Sequence, residues 1–213
     1  MKNYYGKIVV ALVAVWFLLS LGASALHLFK NDANRVGIAV AVAAVTPLIL
    51  FALWLWLSPS FRQFTLSIAP QTLTAAQVWR IIGFTFLLLE ARGGLPAIFA
   101  LPAGYGDMFI GATAAFVAWK LATPVHRNLF IFWQALGITD LLLAVTFGTT
   151  APLIDPHSTS MVAMTVLPLS LIPTFLVPLF VIFHVICIAQ ARKWNRGAER
   201  DRRTVKPVQQ FAV

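Results

Sequence analysis

The chain has 213 residues, 60% of them hydrophobic and 11% charged, with a mean hydropathy of +0.84. A soluble domain is about 45–50% apolar and about 25% charged, so an ordinary soluble fold is excluded. The formal net charge of +9 gives no basis for nucleic-acid binding, because the Lys and Arg positions follow membrane topology, and the lone Cys187 excludes an intrachain disulfide or thiolate metal cage.

Six spans are predicted, at roughly 8–29, 36–57, 75–92, 96–119, 128–148 and 166–190. Each is near the ~20 residues that cross a ~30 Å hydrocarbon core. The expected fold class is an all-α, six-helix membrane bundle with short loops. Residues 1–192 form one polytopic domain and 193–213 a basic tail, disordered and lipid-facing. Lys2 and Lys7 before an apolar run ending in ASA also fit a cleavable signal peptide, although the run is longer than a usual signal core. Between spans two and three, Phe61, Phe64 and Ile68 recur at helical spacing beside Arg62. That pattern fits a short helix in the headgroup plane as well as it fits an irregular loop with apolar anchors. Thr74 followed by Gln77 matches a capping box, which starts span three near Ala75.

An even span count puts both termini on one side. Thirteen of the 16 Lys and Arg residues fall on that side, leaving Lys30, Arg35 and Arg92 on the other. The positive-inside rule makes both termini cytoplasmic. With the "GGLPAIFALPAGYGDMFIG" stretch and the later "GITDLLLAV", the expectation is an integral protein of a bacterial inner membrane.

Ionisable residues inside spans normally face protein or a water-filled cavity. In span four Ala103, Asp107, Gly111, Ala115 and Ala118 follow steps of three or four, which sets Asp107 on a stripe of small residues facing the bundle. Span five repeats the pattern with Gln134, Gly137, Asp140, Ala144 and Gly148. Span three aligns Arg80, Gly83, Leu87, Glu90 and Gly94. The three spans converge on one polar seam of Arg80, Glu90, Asp107 and Asp140, with Arg80–Asp107 the preferred ion pair. In span six Ser170, Thr174, Val177, Val181 and His184 share a face. Its hydroxyls either continue the seam or re-satisfy carbonyls freed by prolines.

Pro102, Gly104 and Gly106 mark a candidate helix break just before Asp107, the alternative being a kinked continuous helix. Pro173 and Pro178, with Pro168, predict a bent or unwound stretch in span six. A discontinuous helix of this kind forms binding sites in many transporters.

The sequence requires no cofactor. His27 and His184 could be considered for haem, but the topology sets them at opposite depths. His157, Met161 and Met164, near Asp155, form a soft donor set of unspecific spacing suited to Cu(I). No phosphate-binding loop, zinc-protease His pair or nucleophile elbow is present, so the chain does not read as an enzyme. The favoured function is a proton-linked transporter or channel for a small solute or ion, along a pathway of Arg80, Glu90, Asp107, Gln134, Asp140 and His184. The alternatives are a non-catalytic accessory subunit, partnered by another membrane protein or a second copy, and a quinone-binding or redox component, for which the seven tryptophans are slight support, since Trp54, Trp56, Trp79 and Trp119 sit where an interfacial aromatic belt would be.

Overall fold

The computed structural model describes residues 2–30, 37–155, 157 and 159–204. Arg35 and residues 205–213 lie outside the described residues, among them Lys206 of the expected tail. The regular elements of the described residues are all helices, without strands. Five helices are long and apolar enough to cross a membrane, over Tyr4–Ala25, Ile38–Leu57, Pro70–Ala91, Arg127–Ile154 and Ile172–Trp194.

The first two are α1 (Lys2–Ala25) and α2 (Ile38–Leu57). A short α3 (Pro59–Thr65) follows, capped by Ser58, whose hydroxyl accepts the Phe61 N–H at 3.2 Å. Helix α3 thus occupies the place of the predicted headgroup-plane helix. Its Phe61 stacks on Trp54 at 3.8 Å between ring centroids, and Arg62 donates to the Leu55 and Trp56 carbonyls at the end of α2.

The third span starts at Pro70, not Ala75. Proline at the first helical position has no N–H to satisfy, and Ala69 is the residue before it. Thr74 is therefore one turn inside, and its hydroxyl is engaged elsewhere. This span is α4 (Pro70–Ala75), a 3₁₀ segment (Ala76–Gly83) and α5 (Phe84–Ala91). At three residues per turn, i and i+3 eclipse, so Gln77, Arg80 and Gly83 form one buried line.

Helix α6 (Ala97–Phe116) has a span's length, but Pro102, Tyr105, Asp107 and its glycines leave it less apolar than the five. It lies at the centre, packed against the 3₁₀ segment, α5 and α7 (Arg127–Ile154). Contrary to the candidate break at Pro102, Gly104 and Gly106, α6 is continuous. The missing Pro102 N–H is tolerated within one helix, while the glycines serve packing: a Cβ on Gly104 would come 2.7 Å from Leu87.

The proline stretch before α8 (Val177–Thr204) is irregular. A 3₁₀ turn (Met161–Thr165), a cis Leu167–Pro168 bond and a π turn (Ile172–Leu176) precede the helix. In the π turn Val177 N–H bonds the Ile172 carbonyl, five residues back. Pro178 lacks the N–H an α-helix would offer to the Thr174 carbonyl, and that oxygen accepts the Trp16 indole N–H at 3.2 Å. Ser170 donates to Ser24 at 2.9 Å and Thr174 to the Ser170 carbonyl at 2.7 Å. The Ser170–Ser24 bond docks α1, and the freed Thr174 carbonyl is taken by α1, from Trp16 and, at 3.5 Å, Ser20, while the Ser170 carbonyl already accepts the Thr174 N–H at 3.3 Å. Helix α8 runs through Arg192 to Thr204, so the first part of the expected tail is helical, not disordered.

One end of the bundle gathers residues 66–71, 122–127 and 190–191. Gln71 Nε2 donates to the Ala122 carbonyl (3.2 Å), Arg127 Nε to that of Ala191 (3.0 Å) and Gln190 Nε2 to that of Ile68 (2.6 Å). An apolar cluster with Leu73, Ile110, Phe130, Trp133 and Ile186 fills that end. A second, with Phe86, Leu95, Phe99 and Met164, fills the other. Between the two lies the polar layer.

Candidate functional site: a buried arginine with two aspartates

The 3₁₀ line projects Arg80 from the third span toward α6 and α7. The Arg80 side chain is 1% exposed, and its Nε lies 2.6 Å from Asp107 Oδ1 of α6. Its Nη2 pairs with Asp140 Oδ2 of α7. Nη1 lies 3.3 Å from both the Gly137 carbonyl and His184 Nε2 of α8. Every nitrogen of the guanidinium is engaged, as a buried cation requires.

Glycines make this layer possible. A Cβ on Gly83 would collide with Asp107, one on Gly106 with the Asp140 carboxylate, and one on Gly137 with the His184 ring. On Gly111 it would meet the Arg80–Ile81 backbone. Each polar side chain thus occupies the volume left by a glycine on the facing helix.

A directed hydrogen-bond chain leaves the cluster on the far side of Arg80. The guanidinium can only donate, so His184 Nε2 accepts and its ring proton is on Nδ1, directed to Gln134 Oε1. Gln134 Nε2 donates to Thr74 Oγ1 at 3.0 Å. The Thr74 hydroxyl faces Cys187 Sγ at 3.7 Å, and the thiol points to the Pro70 carbonyl at 3.8 Å. Thr74, Gln134, His184 and Cys187 are fully buried. This assignment makes His184 neutral. Arg80 with two carboxylates then carries a formal −1, and one proton brings the layer to zero.

On the other side a cavity of about 80 Å³ reaches Asp107. Phe86, Phe99, Leu141, Met161 and Val177 are among its walls, which run along α7 from Leu141 to Pro152, about 17 Å at 1.5 Å per residue. Among the described residues that line it, Asp107 is the one ionisable residue.

The structure thus brings together Arg80, Asp107, Gln134, Asp140 and His184. It does not bring in Glu90. That residue is on the Arg80 line but ten positions further along the span, about 16 Å at helical rises, and it neither borders the cavity nor pairs with Arg80. Asp140 shares Arg80 with Asp107, where the sequence suggested one pair. Ala115 is exposed, off the packed stripe of α6. Pro173 borders the cavity, and Pro178 is buried at the start of α8.

The weak metal candidates lie elsewhere. Met164 packs in the apolar cluster with Phe86 and Phe99, Met161 borders the cavity, and His157 is exposed. Both His184 nitrogens are engaged and His27 is exposed after α1, its Nδ1 3.0 Å from the Ala25 carbonyl, so the two do not form a haem site. Thr74 and Cys187 were not anticipated in the polar layer. The available signal was the Thr74, Gln77, Arg80 spacing of three, which reads as a 3₁₀ face.

Fold and site together define an all-helical protein with five helices long and apolar enough to cross a membrane and a buried ion cluster between two apolar layers. Residues 35–192 match the family described as a domain of unknown function (DUF8737), and the chain belongs to that family. No curated protein and no solved structure matches the chain.

Proposed function

We propose that this protein is a small membrane carrier in which a proton on the Arg80–Asp107–Asp140 cluster is exchanged for a solute entering through the cavity. The observation that carries the reading is that the cavity ends on Asp107, a member of a cluster whose formal charge is one proton short of neutral. A proton and a solute reaching the same carboxylate is the arrangement that couples their movement. The Thr74–Gln134–His184 chain and the apolar cluster beneath it close the opposite end. In this reading α6 crosses the membrane as well, which makes six spans, and both termini are cytoplasmic. The basic residues Arg62, Lys120, Arg127, Arg192 and Lys193 then share the closed side with the exposed Trp56 and Trp119.

The test is proton movement in proteoliposomes containing a trapped pH indicator, with gradients of small cations, anions and neutral solutes applied in turn. Wild type is expected to change the internal pH with at least one solute. Asp140→Asn, which keeps the Arg80–Asp107 pair, is expected to stay folded and lose that response. Wild type without proton movement against any solute would overturn the proposal.

One observation favours a second reading: the engagement of every nitrogen of Arg80 suits a structural lock in an accessory subunit. In that case Asp140→Asn lowers stability and no flux exists to lose.

A further inference from the structure

The cavity also has a chemistry of its own. Arg80 is enclosed, each of its guanidinium nitrogens already has a partner, and it is not among the residues that line the cavity, so the cavity offers no cation to an anion. Asp107 uses Oδ1 on Arg80, whereas its Oδ2 accepts no hydrogen bond from the described residues, and the side chain remains 13% exposed. The hydroxyls of Thr149, Ser160 and Thr165 on the wall are engaged with backbone. Asp107 is the one carboxylate among the described lining residues, and no group of three or more His, Cys, Asp or Glu able to hold a metal ion occurs among the described residues. Phe86, Phe99, Met161 and Met164 instead present aromatic and thioether surface, which accommodates an organic cation. The size is limiting. A cavity of 150 Å³ holds benzene, and this one is about 80 Å³.

We propose that the cavity binds a small alkylammonium ion, of about three non-hydrogen atoms, with its N–H groups on Asp107 Oδ2 and its alkyl part against Phe86 of the third span and Leu141 of α7. This names the substrate class of the carrier proposed above and rests on that reading. The bound monocation replaces the proton that neutralises the cluster: one cation in, one proton out, with charge balanced and no covalent bond changed. The charged and titratable groups around Asp107 are Arg80 from the 3₁₀ segment, Asp140 from α7 and His184 from α8. Neither α2 nor α5 contributes an ionisable residue to the cavity.

Ethylammonium is the probe, titrated into the full chain in detergent micelles and followed by saturation transfer to its methyl protons. Three non-hydrogen atoms limit the Kd to about 1 mM or weaker. Binding is expected to saturate and to weaken by up to about tenfold per pH unit on acidification, where proton and cation compete. Ethanol, neutral and of similar size, and potassium should not displace it. Asp107→Asn should lose the signal. Should that variant fail to fold, Ala144→Leu, which fills the cavity from α7, should lose it too. No saturable binding, binding indifferent to pH, equal displacement by ethanol or potassium, or retention in Ala144→Leu would each overturn the proposal. The two claims fail separately. Proton flux driven by another solute, with no ethylammonium binding, removes the substrate class and leaves the carrier. Ethylammonium binding with no flux for any solute removes the carrier.

Discussion

Arg80→Met is expected to destabilise the protein by about 3–5 kcal/mol, the cost of breaking a buried ion pair by removing one partner. Methionine keeps much of the length and apolar stem but removes the charge and all the donors. Asp107 and Asp140 would then face each other in a site 13–15% exposed, with no cation between them. The Gly137 carbonyl and His184 Nε2 would also lose their donor. The counterpart is the triple variant Arg80→Met/Asp107→Asn/Asp140→Asn, which leaves no charge in the layer. It is expected to recover most of the lost stability, because removing a whole buried charge network is often close to neutral. Unfolding midpoints in detergent measure both. A triple variant as unstable as Arg80→Met would mean that the charges are not the source of the cost.

Gly106→Ala is the second large effect, and its sign opposes helix propensity. Alanine is better than glycine inside a helix by about 0.8–1 kcal/mol, and at Gly22 in α1, where an added Cβ meets nothing within 4 Å, the change should be neutral or stabilising. At Gly106 the added Cβ overlaps the Asp140 carboxylate. Asp140 must leave Arg80 or the helices must separate, and overpacking of this kind costs about 1–3 kcal/mol. The two variants are compared in the same detergent, each against wild type. Gly106→Ala behaving like Gly22→Ala would show that α6 and α7 do not approach as closely as the cluster requires.

Much of this architecture was legible from the residues. Small-residue stripes on α6 and α7 are readable because a close helix approach needs small side chains at every turn, and Asp107 and Asp140 stand on those stripes. The Arg80–Asp107 pair was legible because the third and fourth spans each turn an ionisable residue toward one seam. That Arg80 serves Asp140 as well depends on how α7 is rotated, which the sequence does not encode locally. Glu90 shows the converse limit: a shared helical line gives direction but not reach. His184 and Cys187 depended on the π turn at Ile172–Leu176, which sets the phase of α8. Prolines at 173 and 178 announce an irregular stretch without saying by how many degrees it turns the rest. The candidate break at Pro102, Gly104 and Gly106 and the continuous helix weighed against it could not be separated in the sequence, for another reason. Glycine in a membrane helix signals flexibility and close packing with the same letter, and only the facing side chains, Leu87 and Asp140, tell the two apart.

The most direct test of the central claim asks whether the Arg80 cluster carries a proton that exchanges with water. Infrared difference spectra of the purified protein between high and low pH report the carbonyl stretch of a protonated carboxyl group, and transfer to D₂O reports its access. A protonated-carboxyl band is expected to appear on acidification, to shift within the mixing time in D₂O and to be lost in the Asp107→Asn and Asp140→Asn pair of variants while Glu90→Gln retains it. A band absent at every pH at which the protein remains folded, or one that persists in both aspartate variants and disappears with Glu90→Gln, would contradict a proton-carrying site at Arg80, Asp107 and Asp140.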